Sequence, residues 1–105
     1  MKVLLDENLP QDLRHYLPGH QVSTVGDLRW HISNDARLLE RAATFGFDVF
    51  VTCDAGLKSD GRAPGIAVIT LECASSVMDD LRKAVVPLLE TLGAFRPNTA
   101  VAIPG

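Results

Sequence analysis

An α/β fold, with helices around a mainly parallel sheet of about five strands, follows from three observations on this chain of 105 residues. Short, wholly apolar runs recur, as in Val3-Leu4-Leu5, Val49-Phe50-Val51 and the stretch from Ile66 to Leu71. Runs of that length suit strands buried on both faces, which is the condition of a parallel sheet between helices. Segments with apolar residues at helical spacing lie between the runs and are closed by Gly or Pro. Two of the runs, moreover, lead directly into acids, at Asp6-Glu7-Asn8 and at Thr52-Cys53-Asp54. In open α/β sheets the carboxyl ends of strands are where ligands bind.

Each element has its own local reason. Residues 2 to 5 form the first strand. Pro10 suits the first turn of a helix, where its missing N–H costs little, and Leu9, Leu13, Tyr16 and Leu17 carry that helix to Pro18-Gly19. Residues 20 to 25 read as a short strand punctuated by Gly26-Asp27, and residues 28 to 33 as a loop holding Trp30 and His31. Ser33 or Asn34 can cap a second helix, which Leu38, Leu39, Ala42, Ala43 and Phe45 carry to a stop at Gly46. Residues 48 to 52 make the third strand, residues 58 to 65 a polar loop, and residues 66 to 71 the fourth strand. A long helix is expected over residues 76 to 92, with Val77, Leu81, Val85, Leu88, Leu89 and Leu92 on one face. Pro87 falls inside it and predicts a kink or an early break. Residues 99 to 103 close the chain as a fifth strand. No repeat, low-complexity segment or second domain is visible, so residues 1 to 105 form a single domain.

Composition narrows the classes. Hydrophobic residues make up 47% and charged residues 22%, which is ordinary globular material rather than a disordered chain. No apolar run approaches the roughly 18 residues that span a bilayer, so no membrane association is expected. Only three apolar residues separate Lys2 from Asp6, too few for a secretory segment. Cys53 and Cys73 show no CxxC spacing and read as reduced thiols in a cytoplasmic protein. A net charge of −3 counts against a domain that grips nucleic acid by overall charge. It leaves room for a metal-dependent nuclease, in which the cation supplies the positive charge, or for a basic protein partner.

The acids at the strand ends carry the chemistry. Asp6 and Glu7 are adjacent carboxylates, which repel one another and favour a cation, a proton or open water. Asp6 has two readings: a turn acid capping the following helix, or a ligand for Mg²⁺ or Mn²⁺, which prefer oxygen ligands. Asp54 either caps a turn before Gly56 or joins Asp6 as a ligand, provided the first and third strands are neighbours. Asp35 opens the second helix, where it would meet the helix dipole favourably, or else becomes a third carboxylate of the cluster. Glu7 faces solvent or supports the ligands from behind, and Asp27 and Asp60 read as solvated loop acids. His15, His20 and His31 lack metal-ligand spacing, and Trp30 reads as a hydrophobic plug ahead of a base-stacking ring. No nucleophile elbow, P-loop or GxGxxG occurs.

Taken together, Asp6-Glu7-Asn8-Leu9-Pro10, Asp27-Leu28-Arg29-Trp30, Asn34-Asp35 and Asp48-Val49-Phe50-Val51-Thr52-Cys53-Asp54 resemble a PIN-like domain. The resemblance is to the short bacterial PIN-like proteins that begin with an LLDENLP strand and carry a TxD strand. It runs by motif over about residues 1 to 72 and by topology over the rest. The resemblance implies a three-layer α/β/α nuclease that uses clustered acids to hold Mg²⁺ or Mn²⁺ and cleaves RNA, often as a toxin neutralised by an antitoxin protein. By position it implies Asp6, Asp35 and Asp54 as the catalytic metal ligands, with Thr52 supporting them and Glu7 and Asn8 nearby. One departure stands out. PIN domains commonly carry a further acid just after the TxD aspartate, where this chain has Ala55-Gly56-Leu57 and then only Asp60 in its loop. A non-catalytic PIN-like binding module is therefore the alternative. A phosphoacceptor receiver domain fits less well, because the stretch from Asp54 to Ile66 is short for a βαβ crossover and the closing strand offers no Lys. The outer face of the long helix is a candidate surface for a homodimer.

Overall fold

Val3, Leu4 and Leu5 are completely buried, as a strand covered on both faces requires. In the computed structural model they belong to β1 (Lys2–Leu5). The structure describes residues 1–7, 9–30, 35–53, 66–72, 78–94 and 100–104. The other strands are β2 (Gln21–Thr24), β3 (Val49–Thr52), β4 (Ala67–Glu72) and β5 (Ala100–Pro104). They join in one sheet of order β2-β1-β3-β4-β5, and every neighbouring pair is parallel. The helices are a 3₁₀ helix at Gln11–Tyr16, α1 (Asp35–Thr44) and α2 (Met78–Gly93). The expected α/β class with its parallel sheet is in place.

Alternation along the strands divides the apolar side chains between two cores. Val3, Leu5, Val49, Val51 and Ile69 meet Leu13 and Leu17 of the 3₁₀ segment and Ala84, Leu88 and Leu92 of α2. Leu4, Phe50 and Val68 meet Leu38, Leu39 and Ala42 of α1, together with Trp30 and Phe47. Burying one such leucine or phenylalanine side chain contributes about 1.5–3 kcal/mol. Both cores therefore hold the central strands in register. Among the described residues no helix is long and apolar enough to cross a membrane.

The first helix is shorter and tighter than its apolar spacing predicts. Leu13 N donates to Pro10 O at 3.2 Å and Leu17 N to Arg14 O at 3.2 Å, the three-residue step of a 3₁₀ helix. Pro10 is extended (φ −69°, ψ 142°) and stands before the helix rather than within its first turn. Pro18 disfavours helical geometry at Leu17. Six residues between those limits are too few to propagate an α-helix.

The second correction concerns Pro87, where α2 does not end: it continues to Gly93. The proline and Lys83, whose carbonyl loses its helical donor, are both exposed, so water can serve that carbonyl. Thr91 Oγ1 donates to Pro87 O at 2.8 Å. The end of α1 matches expectation. Gly46 has φ +84°, Phe47 N donates to Ala42 O at 3.0 Å and Gly46 N to Ala43 O at 3.1 Å, which is a Schellman cap. Lys2 Nζ satisfies another terminal carbonyl, that of Phe45, at 2.7 Å. The caps expected at Ser33 or Asn34 and the loop at residues 58 to 65 lie outside the described residues.

Candidate functional site at the carboxyl edge of β1 and β3

From β1 the chain moves to β2 on one side, then returns to place β3, β4 and β5 on the other. The carboxyl edge between β1 and β3 is thus the switch point of the sheet, the position at which α/β folds form a crevice. The register sets Leu5 beside Val51, so the next residues, Asp6 and Thr52, fall side by side. Asp6 N donates to Val51 O at 2.9 Å and extends the ladder one residue past β1. By alternation Asp6 follows Leu4, and Thr52 follows Phe50, onto the face that α1 covers.

Asp6 is half-buried and Thr52 fully buried. Thr52 Oγ1 donates to Asp6 Oδ2 at 2.7 Å, and Glu7 N donates to Asp6 Oδ1 at 2.8 Å. Both bonds suit an ionised carboxylate, which accepts and cannot donate. They hold its plane in a fixed orientation at the strand end. Leu9 N also donates to Asp6 O at 3.0 Å, closing a turn. The residue at the amino end of the 3₁₀ helix is Pro10, which supplies no side-chain cap. Glu7 is exposed.

Of the other candidate ligands, Asp35 is the first residue of α1, and its side chain lies outside what is described. Asp54 and Asn8 lie outside the described residues altogether, as does Asp60. Among the described residues no group of three or more His, Cys, Asp or Glu side chains gathers to hold a metal ion. The described part of the edge brings together Asp6 and Thr52, and it adds a residue that the sequence reading passed over. Thr70 of β4 registers with Thr52 and is completely buried. Its Oγ1 has no hydrogen-bond partner among the described residues. A hydroxyl within the otherwise apolar run Ile66-Ala67-Val68-Ile69-Thr70-Leu71 was the available signal. Threonine is so common in strands that the signal is weak.

Asp27 is exposed, as its loop setting suggests, and it is also bonded to neighbouring elements. Arg14 Nη2 donates to its Oδ2 at 2.6 Å and Thr24 N to the same oxygen at 3.2 Å, while Asp27 N donates back to Thr24 Oγ1 at 2.9 Å. The Arg14 hydrogen bond, followed by that from the Thr24 backbone, holds the Asp27 carboxyl below its ordinary pKa. The acid pins the turn after β2 to the 3₁₀ helix. Trp30 is the plug its sequence suggests. It is 9% exposed and meets Phe45 and Phe47 edge-on, at centroid distances of 5.2 and 6.2 Å. His15 is exposed and His20 half-buried, and His31 lies outside the described residues. A shallow groove of about 710 Å³ on α1 is lined by Arg37, Glu40, Arg41, Thr44 and Phe45 and takes no residue from the β1–β3 edge.

Compared with family models, with curated proteins and with solved structures, the chain matches none.

Proposed function

We propose that this chain is a PIN-like, three-layer α/β/α domain that binds Mg²⁺ or Mn²⁺ at the carboxyl edge of β1 and β3 and hydrolyses RNA phosphodiesters. The observation that carries the reading is the carboxylate of Asp6, oriented by Thr52 at the switch point of a parallel sheet. The donors fit a hard cation: the Asp6 carboxylate and the Thr52 hydroxyl oxygen, with the buried Thr70 Oγ1, which has no partner among the described residues, next in the row. In this reading Asp6, Asp35 and Asp54 hold the cation, Thr52 fixes the Asp6 carboxylate, and Glu7 and Asn8 flank it. A cation bound there would polarise the scissile phosphate and lower the pKa of a water for in-line attack.

Further parts of the reading are a cytoplasmic setting, which the half-buried Cys53 thiol suits, and a basic antitoxin partner, which the net charge of −3 suits. A homodimer through α2 is supported by Val86, which is 62% exposed on that helix.

The competing reading is a PIN-like module that binds without turnover, favoured by Ala55-Gly56-Leu57 where a further acid would be expected. A receiver-like reading gains from the strand order, which is the flavodoxin-like one. It loses on β5 (Ala100–Pro104), which carries no Lys, and a shared fold does not establish a shared activity.

Incubating the purified protein with Mn²⁺ and single-stranded RNA decides between these readings. The nuclease reading expects cleavage, and expects Asp6→Asn and Asp54→Asn to reduce it at least a hundredfold with an unchanged circular dichroism spectrum, a loss on the order of that from removing a principal catalytic interaction. A parent protein that binds Mn²⁺ but leaves RNA intact would establish the binding module instead.

A further inference from the structure

Thr70 is completely buried, and its Oγ1 lacks a hydrogen-bond partner among the described residues. Burying a hydroxyl without a partner costs free energy, and such orphans in native structures commonly mark a water, ion or ligand. The register gives this orphan a direction. Thr70 pairs with Thr52, Val51 with Leu5, and Asp6 N bonds Val51 O. Register partners in parallel strands face the same side of the sheet, so Thr70, Thr52 and Asp6 form a polar row across β4, β3 and β1. Thr52 commits its proton to Asp6. Thr70 is the next group in that row.

We infer that Thr70 is a positioning residue of this edge, its hydroxyl accepting a hydrogen bond from a water in the shell of a divalent cation held by Asp6. The inference rests on the metal reading above. Two strand spacings separate β4 from β1 by about 10 Å. Two cation–oxygen distances of about 2.1 Å and one hydrogen bond of about 2.8 Å reach about 7 Å between side-chain oxygens, and the side chains themselves cover the remainder. Mg²⁺ keeps several waters when bound by one or two carboxylates, so a hydroxyl one water away is a partner such a site uses.

The test titrates Mn²⁺ into the parent, Thr70→Val and Thr70→Ser forms of the full chain by calorimetry and records their metal-free melting curves. Thr70→Val is expected to bind Mn²⁺ about tenfold more weakly, yet to melt without metal at the parent temperature or higher, because the methyl group replaces a hydroxyl that has no partner among the described residues. Thr70→Ser keeps the hydroxyl and is expected to bind like the parent. Equal Mn²⁺ affinity in the parent and Thr70→Val overturns the role of Thr70 and leaves the metal reading standing. A lower metal-free melting temperature for Thr70→Val, with Thr70→Ser binding Mn²⁺ as weakly as Thr70→Val, assigns the hydroxyl a structural role and also overturns it. A parent that binds neither Mn²⁺ nor Mg²⁺ removes both inferences.

Discussion

Asp6 and Asp27 are both acids that follow a strand, yet their surroundings assign them different work. Asp6 takes a hydroxyl and a backbone N–H at the switch point of the sheet, whereas Asp27 takes a guanidinium and a backbone N–H at the sheet's margin, beside the edge strand β2. The strand-end position of Asp6 is legible in the sequence because it needs only the residues on either side. The engagement of Asp27 is not, since its main partner, Arg14, sits on a separate element. Its folded-state pKa lies below the ordinary 3.8, so the ionised form stabilises the native protein above that value. That contribution vanishes as acid protonates the folded carboxyl. Melting curves of the parent and Asp27→Asn should therefore differ at neutral pH and converge as the pH falls below 3.8. A gap that stays constant through acid would separate Asp27 from this role.

At the scale of elements, the close of α1 is the best case of local prediction. Gly46 adopts φ +84°, and a Cβ there would meet nothing nearer than Lys2 Nζ at 3.8 Å. The cost of Gly46→Ala is thus backbone conformation rather than collision. It should destabilise the protein by about 1–2 kcal/mol, seen as a lower urea midpoint with an unchanged slope. A change in slope would instead report an altered denatured or native state. The first helix and α2 show the limit of the same method. Apolar spacing marks which residues reach the core, and Leu13 and Leu88 are indeed buried. It does not distinguish a 3₁₀ turn squeezed between prolines from an α-helix, nor a proline on an exposed face from one that ends its helix.

Across the whole molecule, two cores hold the parallel sheet, and its order brings β1 and β3 together. An ion that binds only this folded edge stabilises it by mass action, by about 2.7 kcal/mol at a hundredfold excess over Kd. For a domain of this size that corresponds to a rise in Tm on the order of 10 °C. Under the proposed function, millimolar Mn²⁺ should raise the parent's melting temperature and leave that of Asp6→Asn nearly unmoved. An unshifted parent would count against a metal at this edge.

The α/β class, the buried strands, the stop at Gly46 and the acid after β1 are determined by the sequence alone. Each rests on hydrophobic period or backbone preference within a few residues. Only the tertiary structure decided that Thr52 reaches across to Asp6, 46 residues away, and that Thr70 lies next in the same row. Those facts depend on which strands become neighbours and in what register, and a parallel sheet sets both through crossovers that no local pattern encodes.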